Sequence, residues 1–182
     1  RLDGRYLLQR RIEQHPRMSA LHPHSINTIR LVTYCEDGNV TLFSAAQRIG
    51  ARARSIDNWA GGGLIVGIDP ATGRMRGEGF FKPGYGGRTP VHSDTGVRFA
   101  GYEIPCFHEA VQLVMRLHGY LREIHSVGWD VAISTTGPLV IEGNEDWEGG
   151  IPMVLEPDFK ERFLSMYRPA PKAPGQLAPS AS

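Results

Sequence analysis

Two carboxylates and an amide late in the chain have the types and spacing to hold a cation. Asp130 lies in Gly128-Trp129-Asp130-Val131-Ala132-Ile133-Ser134. Glu142 and Asn144 lie in Leu139-Val140-Ile141-Glu142-Gly143-Asn144, with Thr135-Thr136-Gly137 between the two runs. A hairpin symmetric about Thr136 puts Asp130 opposite Glu142, with Cβ atoms about 4.5–5.5 Å apart. Two facing carboxylates repel, and among apolar neighbours one is driven to keep its proton. A divalent cation between them removes that conflict. Asn144, two residues past Glu142, shares its face of the strand and offers a neutral oxygen. Three such oxygens, with room for water and phosphate, describe a magnesium site that works on a nucleotide. The spacing is equally compatible with two solvated carboxylates on the open face of a hairpin. Val131, Ile133, Val140 and Ile141 show that one face is buried, not what covers the other.

The elements that must position these residues are mostly strands. Tyr6 to Ile12 reads as a short strand closed by a turn at His15-Pro16. Ile29 to Tyr34 and Val40 to Ala45 are β-rich runs joined by Glu36-Asp37-Gly38-Asn39, a hairpin signal. Leu64 to Ile68 and Met75 to Phe81 form a second pair around Asp69-Pro70-Ala71-Thr72-Gly73. Ala51 to Gly63 and Lys82 to Gly101 read as loops, and the length of the second argues for a lid or substrate cover. Apolar residues at helical spacing from Phe107 predict one long helix, running through His125. Asp158 to Tyr167 predicts a short closing helix. The expected fold is α+β, a mostly antiparallel sheet packed on one face by the long helix. Residues 1–167 form the domain, and 168–182 form a Pro/Ala-rich tail with too little apolar surface to order itself.

Composition excludes more than it selects. A formal net charge of +1 gives no reason to expect a nucleic acid or a membrane surface as partner. No apolar run approaches the roughly 18–20 residues that span a bilayer. Cys35 and Cys106 lack the spacing of a metal site or redox pair, which fits a reduced, cytoplasmic protein. Seventeen of the 20 basic residues are Arg, the lysines being Lys82, Lys160 and Lys172. The planar guanidinium fork suits phosphate and carboxylate, although a G- and C-rich genome gives the same bias.

The order of motifs resembles the ATP-grasp superfamily from Tyr6 to about Gly150. Asp130, a short turn and Glu142-x-Asn144 look like its metal-binding signature. Leu8-Gln9-Arg10-Arg11-Ile12 resembles the hinge strand that lies against adenine, and Ser25-Ile26-Asn27-Thr28-Ile29-Arg30 the strand that presents an Arg to the active site. Arg48-Ile49-Gly50, Asp57-Asn58 and Gly61-Gly62-Gly63 resemble the Arg, Asn and glycine-loop series facing the phosphates. His22-Pro23, Asn27 to Arg30, His92 to Gly96, Ile104-Pro105 and Gly128-Trp129-Asp130 are similar to the sugar-transfer-associated branch.

This resemblance implies an ATP-dependent carboxylate–amine ligase that works through an acyl phosphate, linked to polysaccharide or cell-surface sugar biosynthesis. Asp130, Glu142 and Asn144 are then expected to hold magnesium. Arg30, Arg48 and Asn58 are expected to act on the transferred phosphoryl group, and Gln9, Arg10, Arg11, Ile12 and Asn58 to bind ATP. A small carboxylate is the expected substrate. Without the resemblance, Arg30 reads as a strand Arg paired with a surface carboxylate, and Arg48 and Asn58 carry no stronger signal. No lysine matches the family's phosphate grips, so the chain is expected to be the C-terminal lobe, inactive alone and completed by an N-terminal lobe in cis or in trans. The alternative is a non-catalytic ligand- or metal-binding module derived from such an enzyme. Among the histidines, His22 and His24 either contact substrate or serve structure, and His108, His118 and His125 belong to the boundary of the helix.

Overall fold

A computed structural model describes residues 10–52 and 59–166. Its centre is a seven-stranded antiparallel sheet, β1 Thr28–Glu36, β2 Asn39–Ile49, β3 Leu64–Asp69, β4 Arg74–Phe81, β5 Arg88–Thr89, β6 Ser126–Ser134 and β7 Gly137–Asn144. The spatial order is β5-β4-β3-β2-β1-β6-β7, so β1 to β4 run as a meander and the late β6–β7 hairpin docks against β1. Helices α1 Pro16–Leu21, α2 Phe107–His118, α3 Gly150–Leu155 and α4 Phe159–Met166 complete the fold. The α+β reading therefore holds.

Turn chemistry sets the hairpins. Asp37 and Gly38 both take positive φ, 49° and 80°, as a two-residue turn between tightly twisted strands requires. Between β3 and β4 the Asp69 carboxylate accepts from Ala71 N (3.0 Å) and Thr72 Oγ1 (2.8 Å), and Gly73 closes the turn at φ 66°.

Strand alternation then separates two faces. Ile29, Leu31, Val131, Ile133, Leu64 and Val66 point to one side and join Met18 and Leu21 of α1 with Phe107, Ala110 and Val114 of α2 in the principal core. Each such side chain contributes about 1.5–3 kcal/mol on burial. The other face, which the sequence left undecided, is partly covered. Val32, Tyr34 and Phe43 pack there against Phe159, Trp147 and Phe163, while Ala46, Ile65 and Trp59 pack against Ile151 of α3. Glu156, buried between α3 and α4, accepts from Ser44 Oγ and Arg162 Nη1, both at 2.7 Å, and so pins both helices to β2.

Several expected elements change. The strand expected over Tyr6 to Ile12 includes residues outside the described part. Arg10 to Ile12 carry no regular structure, and the first pairing among the described residues is at Gln14, bridged to Ser134. His15-Pro16 starts a helix rather than a turn, with Pro16 in the first turn and the His15 ring accepting from Arg17 N. The long helix stops at His118, well short of His125. There the hydrogen-bond ladder tightens, with Gly119 N still donating to Met115 O but Tyr120 N to Leu117 O and Leu121 N to His118 O. Buried His118 holds the outgoing turn through Ile124 O (2.8 Å) and β1 through Thr33 Oγ1 (2.7 Å), so it is a satisfied core histidine. The 82–101 segment is anchored rather than lid-like over its second half. Phe99 and His92 are buried, Val91 bridges Arg98, and β5 pairs with β4.

Candidate functional site

The site grows from one row of the sheet. Register places Ala46 of β2, Arg30 of β1, Asp130 of β6 and Glu142 of β7 side by side, with their side chains on the face shared with α3 and α4. The expected Asp130–Glu142 pairing is present, but the hairpin is not symmetric about Thr136. Ser134 pairs with Gly137 across a tighter turn, and a bulge in β7 at Ile141 restores the offset, so that Val131 faces Val140 while Asp130 faces Glu142.

Arg30 grips Asp130 with a two-pronged fork, Nε to Oδ1 at 2.6 Å and Nη2 to Oδ2 at 3.1 Å. Arg48, two residues beyond Ala46 on the same face, adds Nη1 to Oδ2 at 2.5 Å. The three side chains are nearly buried, at 12% exposure for Arg30, 11% for Arg48 and 7% for Asp130. Burial pushes the Asp130 carboxyl upward, but the guanidiniums of Arg30 and Arg48 outweigh it and hold that carboxyl below the usual range. Mutual repulsion with Glu142, expected from the sequence, is therefore answered by two arginines. Glu142 itself is exposed and accepts from Asn144 Nδ2 at 3.0 Å.

Glycine makes the row possible. A Cβ on Gly128 would come within 2.5 Å of Trp147 Cβ and 3.5 Å of Arg30 Nη1, so the bare backbone leaves room for Trp147 beside the arginine. The Gly-Trp-Asp phrase is the sequence trace of that contact.

Four strand residues along β6 from Asp130, about 13 Å at ~3.3 Å per residue, Arg10, Arg11 and Ile12 line a groove of about 250 Å³ with Ser134, Thr135, Thr136 and Leu139. The segment is held there by Thr135 N to Glu13 O (3.0 Å) and His15 N to Ile133 O (2.9 Å). Gln9 and Asn58 lie outside the described residues. The third arm of the site, the end of β2 beyond Arg48, is fixed by a buried polar network that sequence reasoning did not find. Asn27 Oδ1 accepts from Gly50 N (3.1 Å), its Nδ2 donates to Met18 O and His22 O (2.8 Å each), and Gly50 O meets His92 Nε2 at 2.7 Å. His22 is fully buried with Nδ1 2.9 Å from Ser25 Oγ, so the structural role wins over substrate contact. Burial, then the neighbouring His92, keeps the His22 pKa low, with Asp94 pulling the other way and His24 adding to the depression. A Cβ on Gly50 would fall 2.3 Å from Ser25 Oγ, so this position also tolerates only glycine.

As a donor set, two carboxylates and an amide oxygen suit a hard divalent cation that keeps part of its water. The Asp130 carboxylate, with about four acceptor sites, has three hydrogen bonds from the arginines. Among the described residues no group of three or more His, Cys, Asp or Glu side chains could hold a metal ion. No helix among the described residues is long and apolar enough to cross a membrane. A family model described as sugar-transfer associated ATP-grasp matches residues 1–165. No curated protein and no solved structure matches the chain.

Proposed function

The chain belongs to the sugar-transfer associated ATP-grasp family, and we propose that it supplies the ATP- and magnesium-binding portion of an ATP-dependent carboxylate–amine ligase. The observation that carries this reading is the convergence of Arg30 and Arg48 on Asp130, in register with Glu142. It concentrates two cationic forks and two carboxylates on one sheet row, where a phosphoryl group in transfer needs charge neutralisation and alignment.

In the reaction, a substrate carboxylate oxygen attacks the γ-phosphorus of ATP and ADP leaves, giving an acyl phosphate. An amine then attacks the acyl carbon, phosphate departs with the C–O bond electrons, and the amine proton passes to base. Arg30 and Arg48 bear on the transferred phosphoryl group and the acyl phosphate, with Asn58 as a further donor. Gln9 to Ile12 form one wall of the adenine pocket, consistent with the groove that Arg10, Arg11 and Ile12 share with the β6–β7 turn. Magnesium, held by Asp130, Glu142 and Asn144, supplies neutralisation of phosphate charge when bound. Lys82, whose Nζ lies 3.9 Å from Glu148 and over the Trp59 ring, does not match the family's phosphate grips. We therefore assign the remaining phosphate contacts, and most of the carboxylate site, to a further lobe in the same polypeptide or in another chain. A link to polysaccharide or cell-surface sugar assembly is part of this proposal, supported by a family description that names sugar transfer.

The test is an amide chemical-shift titration of the chain with ATP, with and without magnesium, which reads weak binding residue by residue. Shifts at Arg10 to Ile12, Arg30, Asp130 and Glu142 that need magnesium and vanish in Glu142→Gln are expected. Shifts confined to another surface, or indifferent to magnesium and to Glu142, would remove this reading.

A further inference from the structure

The Asp130–Glu142 pair is accompanied by an equal number of fixed positive charges, and this decides what kind of cation can enter it. Arg30 and Arg48 contribute two positive charges, Asp130 and Glu142 two negative ones, so these four side chains sum to zero. Three of the roughly four acceptor sites on the Asp130 carboxylate are held by guanidinium N–H groups at 2.5, 2.6 and 3.1 Å. The arginines and Asp130 are nearly buried, so their charges are poorly screened and act at close range on anything placed beside Asp130. A bare divalent ion arriving there meets two cations and one remaining acceptor site.

An anionic phosphate changes both terms. It gives the guanidiniums another partner of matching fork geometry, which loosens their hold on Asp130. It also brings negative charge, of which these four side chains have no excess. Resting on the function proposed above, the geometry points to Arg30 and Arg48 as gatekeepers that close the Asp130–Glu142 pair to a free divalent cation and open it to one accompanied by a phosphate anion. The metal then enters with the polyphosphate and leaves with it, and the row does not retain an ion between turnovers.

Manganese(II) tests this on the chain as it is, through paramagnetic relaxation of water protons. The wild type should bind Mn2+ alone weakly, and added inorganic pyrophosphate should strengthen uptake. Arg48→Met, which removes one positive charge but preserves length, should tighten binding of Mn2+ alone by about tenfold or more, as loss of a unit charge beside a divalent ion requires. Arg48→Lys keeps the charge and should remain weak, whereas mere damage to packing would affect both variants alike. Arg48→Gln gives the same charge change should the methionine variant fold poorly. Adding Glu142→Gln to Arg48→Met should abolish the gain, which locates the ion. Unchanged Mn2+ affinity in Arg48→Met and Arg48→Gln, with binding still lost on Glu142→Gln, overturns the gating while leaving the cation site standing. Mn2+ uptake that no Glu142 substitution alters shows instead that the pair holds no cation, and the functional reading itself falls.

Discussion

Asp130 and Glu142 share a row yet live in different dielectric surroundings, and the difference sets what each substitution costs. Asp130→Asn removes the carboxylate on which the nearly buried Arg30 and Arg48 converge, so stability should fall by about 3 kcal/mol. Glu142→Gln, on an exposed side chain, should change stability by less than about 0.5 kcal/mol. Urea unfolding of the two variants should show this separation, and equal losses would mean that Asp130 is not the electrostatic keystone of the row. His22 sets a second expectation. Its folded pKa lies below the ordinary histidine value of about 6.5, because burial and then His92 disfavour the charged ring. The unfolded chain therefore binds the proton more readily, so this contribution is complete above the unfolded value and is lost as pH falls from there toward the lower folded one. The urea midpoint should drop over that interval in the wild type and less so in His22→Gln. Residue types made the carboxylates and Asn144 legible before the structure. The arginine partners of Asp130 were not legible, since the β1–β6 pairing joins residues 100 positions apart and no local pattern specifies it.

Strands and turns were legible where backbone chemistry is local. Asp37-Gly38 and Asp69 to Gly73 announced their hairpins, and both formed as read. The β6–β7 pairing came out right through two offsetting departures, a tighter turn and the bulge at Ile141, because alternation fixes faces more firmly than it fixes turn length. Helices were read less well. The apolar period continues past His118 through Leu121 and Ile124, but Leu121 is exposed and Ile124 packs against the core from a tight turn rather than from helix. Helix α3, Gly150–Leu155, opens with Gly and Pro and is made by docking on β2 and β3, a tertiary cause that propensity does not carry. Gly128 offers the test at this scale. Gly128→Ala should cost about 1–3 kcal/mol through overpacking and push Trp147 away from Ser126 Oγ, to which its indole now donates at 3.1 Å. A shift in tryptophan emission with the loss of stability is expected. An alanine variant of native stability and spectrum would show that the contact is slack.

Across the whole molecule, one face of the sheet is sealed by α1 and α2, while α3 and α4 cover only part of the other. The Arg30–Asp130–Glu142 row lies on that second face, with Arg30 and Asp130 nearly buried and Glu142 exposed, and the groove beside Arg10 to Ile12 lies at the β6–β7 turn. A surface with two arginines and two carboxylates offers no net attraction to a triphosphate, and one wall of an adenine pocket shields little of the base from water. The isolated 182 residues should therefore bind magnesium–ATP with a dissociation constant weaker than about 10 µM and turn over nothing measurable. Calorimetry giving submicromolar affinity would show that the chain completes its own site. Affinity should rise when a second lobe is supplied, covalently or as a separate chain.

The 100-residue span between Arg30 and Asp130 also bears on the order in which the molecule comes together. Strands β1 to β4 are joined by short hairpins and one modest loop, so their contacts close cheaply and early. Strand β6 reaches β1 only after the chain has folded back across the intervening meander, the 82–101 segment and α2, and closing so long a loop is slow. On that ground the two arginines are expected to take their places on the meander before Asp130 docks beside them. A chain whose synthesis has not passed β6 therefore carries Arg30 and Arg48 without Asp130, and the row receives its acidic half from the last hairpin of the sheet.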